Sequence, residues 1–175
     1  KTLTLTLTNS GYSQVYDGDA AADITPAWSF NGFISGDTSA TIAYTGRNYN
    51  TANVTTANLI TVSGLSITSV AGGNSSAPED YVLDSTTKTV NATITPKTVS
   101  LAVASKVYDA STDMTGYVSI TTGVGGETLT YNGATSNDAH VATADKYLNA
   151  ITLGNASDGS GGLASNYQLP TLNAA

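Results

Sequence analysis

The sequence predicts an all-β protein made of two tandem repeats, and three observations carry that reading. Charged residues are 11% of the 175-residue chain, against a usual share of about 25%. Glutamate occurs only at Glu79 and Glu127, so the residues that build long helices are scarce. Threonine, valine, isoleucine and tyrosine, which suit a pleated half-buried surface, are plentiful instead. The second observation is strict alternation in Thr2-Leu3-Thr4-Leu5-Thr6-Leu7-Thr8, repeated as Val99, Leu101 and Val103 in a later stretch. Period-2 alternation places the apolar side chains on one face of a strand. The third is recurrence: Gln14-Val15-Tyr16-Asp17-Gly18-Asp19 returns as Lys106-Val107-Tyr108-Asp109-Ala110-Ser111, 92 residues later.

Further matches follow in the same order. Gly36-Asp37-Thr38 corresponds to Gly126-Glu127-Thr128, and Tyr44-Thr45-Gly46 to Tyr131-Asn132-Gly133. Leu59-Ile60-Thr61-Val62 corresponds to Ala150-Ile151-Thr152-Leu153, and Asp80-Tyr81 to Asn166-Tyr167. The copies are read as residues 1–96 and 97–175. The joint, Thr95-Pro96-Lys97, has no slack, because proline fixes its own φ and extends its predecessor. Gly/Asn/Asp/Ser clusters such as Asn31-Gly32, Gly72-Gly73-Asn74 and Asn132-Gly133 mark the turns between strands. Ig-like sandwiches in an elongated row are the expected architecture. The alternative is a β-grasp-like repeat with one short helix, for which Ala20-Ala21-Ala22-Asp23 is the available stretch. Lys1 opens directly into a strand, and the second copy stops at Leu172-Asn173-Ala174-Ala175, short of the Thr93-Ile94-Thr95 that closes the first. The chain is therefore expected to be a piece of a longer exported protein.

Composition excludes several functions. A net charge of −7 with six scattered basic residues cannot form the cationic stripe that nucleic acid or an anionic membrane surface requires. No cysteine is present, which removes thiolate metal sites, disulfides and cysteine nucleophiles. No apolar run approaches the length of a membrane span.

Val15-Tyr16-Asp17-Gly18, the later Gly36-Asp37-Thr38, the approach Ala164-Ser165-Asn166-Tyr167 and the closing Thr93-Ile94-Thr95-Pro96 together resemble the bacterial YDG domains and the related MBG-type repeats. The resemblance implies long, repetitive surface proteins of the filamentous-haemagglutinin and giant-adhesin kind, in which such repeats space a binding tip from the cell. The second copy departs from the signature at Ala110, where a side chain argues against a positive φ.

Candidate chemistry is thin. His140 lies in a loop-like stretch with Asp138 and has no counterpart in the first copy, so a solvated loop histidine is the better reading than a catalytic base. Paired carboxylates of a glycosidase lack an accompanying aromatic cleft. The chain is not expected to be an enzyme. Asp17, Asp19, Asp23, Asp109 and Asp113 are candidate Ca²⁺ ligands, but a turn-forming role is preferred because no complete calcium loop is present. No cofactor is therefore assigned. Trp28, Phe30 and Phe33, confined to the first copy, are the candidates for glycan stacking and more naturally belong to a core. Tyr16, Tyr108, Tyr81 and Tyr167, with Val15 and Val107, are expected as repeat-signature residues, the tyrosines buried with a bonded hydroxyl. Asn53, Asn74, Asn91 and Asn155 head N-x-S/T triplets, as chance allows in so Asn/Thr/Ser-rich a chain. The expected function is a stalk or spacer of a secreted bacterial surface adhesin, serving adhesion or biofilm formation. It would sit at the cell surface with neighbouring repeats as its partners. The rival is a module binding host or matrix glycans.

Overall fold

A computed structural model describes residues 1–172. It is all-β, and its only helical segments among the described residues are the 3₁₀ turns Pro78–Asp80 and Ala164–Asn166. Residues 20–23 do not form the expected helical turn. Ala21 instead makes a single antiparallel bridge to Asn48, which extends the chain there. The strands lie in six small sheets of two to four strands. Contacts divide the chain into one unit of Lys1–Gln14 with Asp19–Ile94 and another of Val15–Gly18 with Thr95 onward.

The first unit holds β1 (Thr2–Leu7), β2 (Tyr12–Val15), β3 (Trp28–Asn31), β4 (Asp37–Ala43), β5 (Gly46–Tyr49), β6 (Leu59–Ser63), β7 (Ser66–Gly72), β8 (Val82–Leu83) and β9 (Thr87–Thr95). β1 lies between antiparallel β3 and parallel β8. A four-stranded sheet runs β2-β9-β6-β5, and β4 pairs with β7. The alternation in β1 works as written: Leu3, Leu5 and Leu7 are buried and the threonines are exposed. Ile60 and Val62 of β6 and Ala92 and Ile94 of β9 are buried in the same alternating manner. Each such branched side chain contributes about 1.5–3 kcal/mol on burial.

The second unit holds β10 (Lys97–Thr98), β11 (Ser100–Val103), β12 (Val118–Thr121), β13 (Thr130–Ser136), β14 (Leu148–Gly154) and β15 (Tyr167–Gln168). Two pairings of the first unit recur here. β10 pairs parallel with β15 as β1 does with β8, and β11 pairs antiparallel with β12 as β1 does with β3. Leu101 faces Ile120 where Leu5 faces Phe30. β13 and β14 form a hairpin interrupted by irregular register. Met114, Val118, Ala134, Leu148 and Ile151 make the core, with Leu101, Tyr131 and Leu169 packed against it.

Candidate functional site

The most organised polar cluster lies in the second unit and is centred on Glu127. Tyr16 donates its hydroxyl to Glu127 Oε1 at 2.6 Å, and Tyr167 donates to Oε2 at 2.7 Å. Each carboxylate oxygen therefore holds one phenol. The two rings meet edge to face, with centroids 5.4 Å apart and planes at 82°, the arrangement that aromatic quadrupoles favour. Tyr16 is 4% exposed and Tyr167 5%. Thr122, also buried, donates its hydroxyl to the carbonyls of Val124 and Glu127 and so shapes the turn that presents the carboxylate.

Local sequence places each part. Tyr16 follows β2, and its amide donates to the Thr95 carbonyl at 2.9 Å. Gly18 follows in the left-handed region (φ 91°) with its backbone against Val124. A Cβ there would stand 2.7 Å from Val124 Cγ1, so only glycine fits. Tyr167 leaves the 3₁₀ turn Ala164–Asn166 to enter β15. Burial and then the bond to Glu127 push the Tyr16 phenol up to about 12, and the same causes raise Tyr167 above its ordinary value. Both phenols stay neutral donors at ordinary pH. With every carboxylate oxygen engaged and the rings covered, the cluster offers no group to a substrate.

The first unit contains a reduced version. Tyr81, 4% exposed, donates to Asp37 Oδ2 at 2.5 Å, and the Ile34 amide donates to the Tyr81 hydroxyl. Phe33 stands edge-on to Tyr81, centroids 5.8 Å apart at 82°, closely matching Tyr16 on Tyr167. Phenylalanine has no hydroxyl, and the buried Asp37 Oδ1 has no hydrogen-bond partner.

The repeat-signature tyrosines thus divide. Tyr16, Tyr81 and Tyr167 are buried with bonded hydroxyls, but Tyr108 is 54% exposed and Val107 86%. The expectation of a buried Tyr108 is corrected. No carboxylate socket receives it among the described residues, whereas Glu127 and Tyr167 receive Tyr16. Ala110 is a second correction: its φ is 63°, the conformation that its side chain was expected to forbid. The Asp109 carboxylate accepts the Ser111 amide at 3.1 Å and pairs with Lys106 at 2.8 Å, which holds the turn in that strained form.

The remaining candidates are dispersed. Among the described residues no three His, Cys, Asp or Glu side chains converge to hold a metal ion. Asp19 accepts the Ala21 amide and Asp113 accepts from Thr115, while Asp23 gives its backbone amide to Gln14. Asp17 also has a partner. Trp28 and Phe30 are half-buried and stand opposite the buried Leu7 and Leu5, on the core side of β3. Phe33 packs between Phe30 and Tyr81. His140 is exposed, and its amide donates to Asp138. The residue that sequence reasoning left without a role is Glu127. Its signal was available: it is one of two glutamates in the chain, and it occupies the position of Asp37 in the other copy.

The Tyr16-Asp17-Gly18 segment, with its buried phenol and its glycine against Val124, is the feature that relates this chain to known sequences. The family model of the YDG domain matches residues 1–89, half of the chain. The chain belongs to the YDG domain family. No curated protein and no solved structure matches it. In this YDG protein the family's signature tyrosine is a packing element, and its partners come from the unit that begins at Thr95.

Proposed function

We propose that this YDG protein is a structural spacer: successive sandwich-like repeats of a secreted bacterial surface adhesin, arranged end to end to carry a distal binding region away from the cell. The observation that carries the reading is the seating of Tyr16 on Glu127 and Tyr167. A signature residue that is buried, neutral and fully bonded serves cohesion, and a binding module would present its signature to solvent. The short Thr95-Pro96-Lys97 joint supports a row of repeats, because it leaves no flexible linker between the copies. The half-buried placement of Trp28 and Phe30 on the core side of β3 weighs against a glycan platform.

Two measurements on the same sample test this. Small-angle scattering should give a radius of gyration clearly above the roughly 16 Å of a compact globule of this length. A screen against host and matrix glycans should find no saturable binding that Trp28→Ala removes. A compact scattering profile together with Trp28-dependent glycan binding would overturn the spacer reading in favour of a binding module.

A further inference from the structure

The second unit leaves a cleft of about 660 Å³ between the start of β14 and the segment after β11. Leu101, Val103, Val107, Tyr108, Met114 and Leu148 line it, and three of these are strongly exposed: Val103 50%, Val107 86% and Tyr108 54%. Apolar side chains gathered around one opening indicate a surface that a partner covers. Among the described residues β14 pairs only with β13, so its other edge carries unpaired amides and carbonyls beside the cleft.

The first unit shows what fills the corresponding place. By the ordered repeat, β6 corresponds to β14, and the β2 segment ending at Tyr16 corresponds to the stretch ending at Tyr108. Between β6 and β2 lies β9, antiparallel to β6 and hydrogen-bonded through the Thr95 carbonyl to Tyr16. β9 buries Ala92 and Ile94 and exposes Asn91, Thr93 and Thr95. In the second unit the two flanking elements are present, and no strand among the described residues lies between them.

We propose that this cleft is a strand-receiving groove whose occupant is one extended segment with the pattern of β9. The segment pairs with the free edge of β14 and places a small and then a branched apolar side chain, as Ala92 and Ile94, against Leu148, Met114 and Leu101. Main-chain hydrogen bonds supply affinity, and the alternating pockets supply specificity. Its far end organises Val107 and Tyr108 as Thr95 organises Val15 and Tyr16. The proposal rests on the repeat correspondence and goes beyond the spacer reading, since it assigns an interaction site.

The test adds a synthetic peptide of residues 85–96 to the intact chain, followed by amide spectra and hydrogen exchange. Saturable one-to-one binding is expected, with protection of the β14 amides raised about tenfold or more and shifts at 104–108. A peptide carrying Ala92→Asp and Ile94→Asp should not bind. On the protein, Val107→Asp, a change at an exposed position that leaves folding intact, should weaken binding about tenfold. The proposal is overturned if no binding is seen up to about 1 mM peptide, if the aspartate peptide binds equally well, or if the shifts map away from β14. It is also overturned if the same amides are protected without peptide in a concentration-dependent dimer, which would make a second copy the occupant.

Discussion

Tyr16→Phe isolates one bond of the Glu127 cluster, because the ring that packs against Tyr167 stays and only the hydroxyl is lost. The lost interaction is a 2.6 Å hydrogen bond from a phenol to a carboxylate, in a site where Tyr16 is 4% exposed. Hydrogen bonds to charged groups contribute about 1.5–3 kcal/mol, and little water is present to replace the donor. For a domain of this size each kcal/mol moves the midpoint by about 4–8 °C, so the change amounts to roughly 10 °C. Calorimetry of the variant, with hydrogen exchange to assign the transition, should show β14 and β15 losing protection while β1 and β6 keep theirs. Tyr108→Phe, the same edit at the exposed copy of the motif, should shift the midpoint by less than about 0.5 kcal/mol. If Tyr16→Phe and Tyr108→Phe behave alike, or if the loss falls on β1 and β6, the assignment of Tyr16 to the second unit is refuted.

Stability should also fall in alkali. A phenol whose folded pKa is raised from 10 to about 12 contributes stability that is complete below pH 10 and is lost as pH rises through 12. For Tyr16 this is about 2 kcal/mol, and Tyr16→Phe should flatten that part of a pH–stability curve measured by urea unfolding. The glycine and alanine of the two motifs should respond in opposite directions: Gly18→Ala forces a Cβ onto Val124 and costs about 1–3 kcal/mol in thermal unfolding, while Ala110→Gly relieves a left-handed alanine and is neutral or stabilising by up to about 1 kcal/mol. Leu5→Ala, at a site 1% exposed, should cost about 2–5 kcal/mol and confine its effect to the first unit's transition. Millimolar Ca²⁺ followed by EDTA should leave the melting curve unchanged. A rise of many degrees that Asp17→Ala abolishes would assign an ion site to the acidic turn.

Much of the fold is legible because alternation and turn chemistry are local signals. Thr2-Leu3-Thr4-Leu5 states which face is buried, and the structure agrees residue by residue. The ordered repeat correctly matched Tyr81 with Tyr167 and Asp37 with Glu127, and each pair forms the same phenol–carboxylate bond. The division of strands among small sheets was not legible, since periodicity names a face and never a partner. Nor was the role of Glu127, whose bond to Tyr16 spans 111 positions of sequence. Tyr16 and Tyr108 carry the same local motif, so nothing nearby in sequence tells which is buried. That depends on a socket elsewhere in the chain. Ala110 misled for a different reason: a left-handed alanine costs only about 1–2 kcal/mol, within reach of the bonds that Asp109 makes to Ser111 and Lys106.

The central claim is that the YDG tyrosine of the first copy is a built-in part of the second unit, and the ring–ring contact between Tyr16 and Tyr167 tests it most directly. A nuclear Overhauser spectrum of the chain with labelled tyrosines reports that contact in solution. With ring centroids 5.4 Å apart, strong cross-peaks are expected between the Tyr16 and Tyr167 ring protons, and none from Tyr108 to Tyr167. Absence of the Tyr16–Tyr167 cross-peaks, with Tyr16 as freely exposed as Tyr108, would contradict the account.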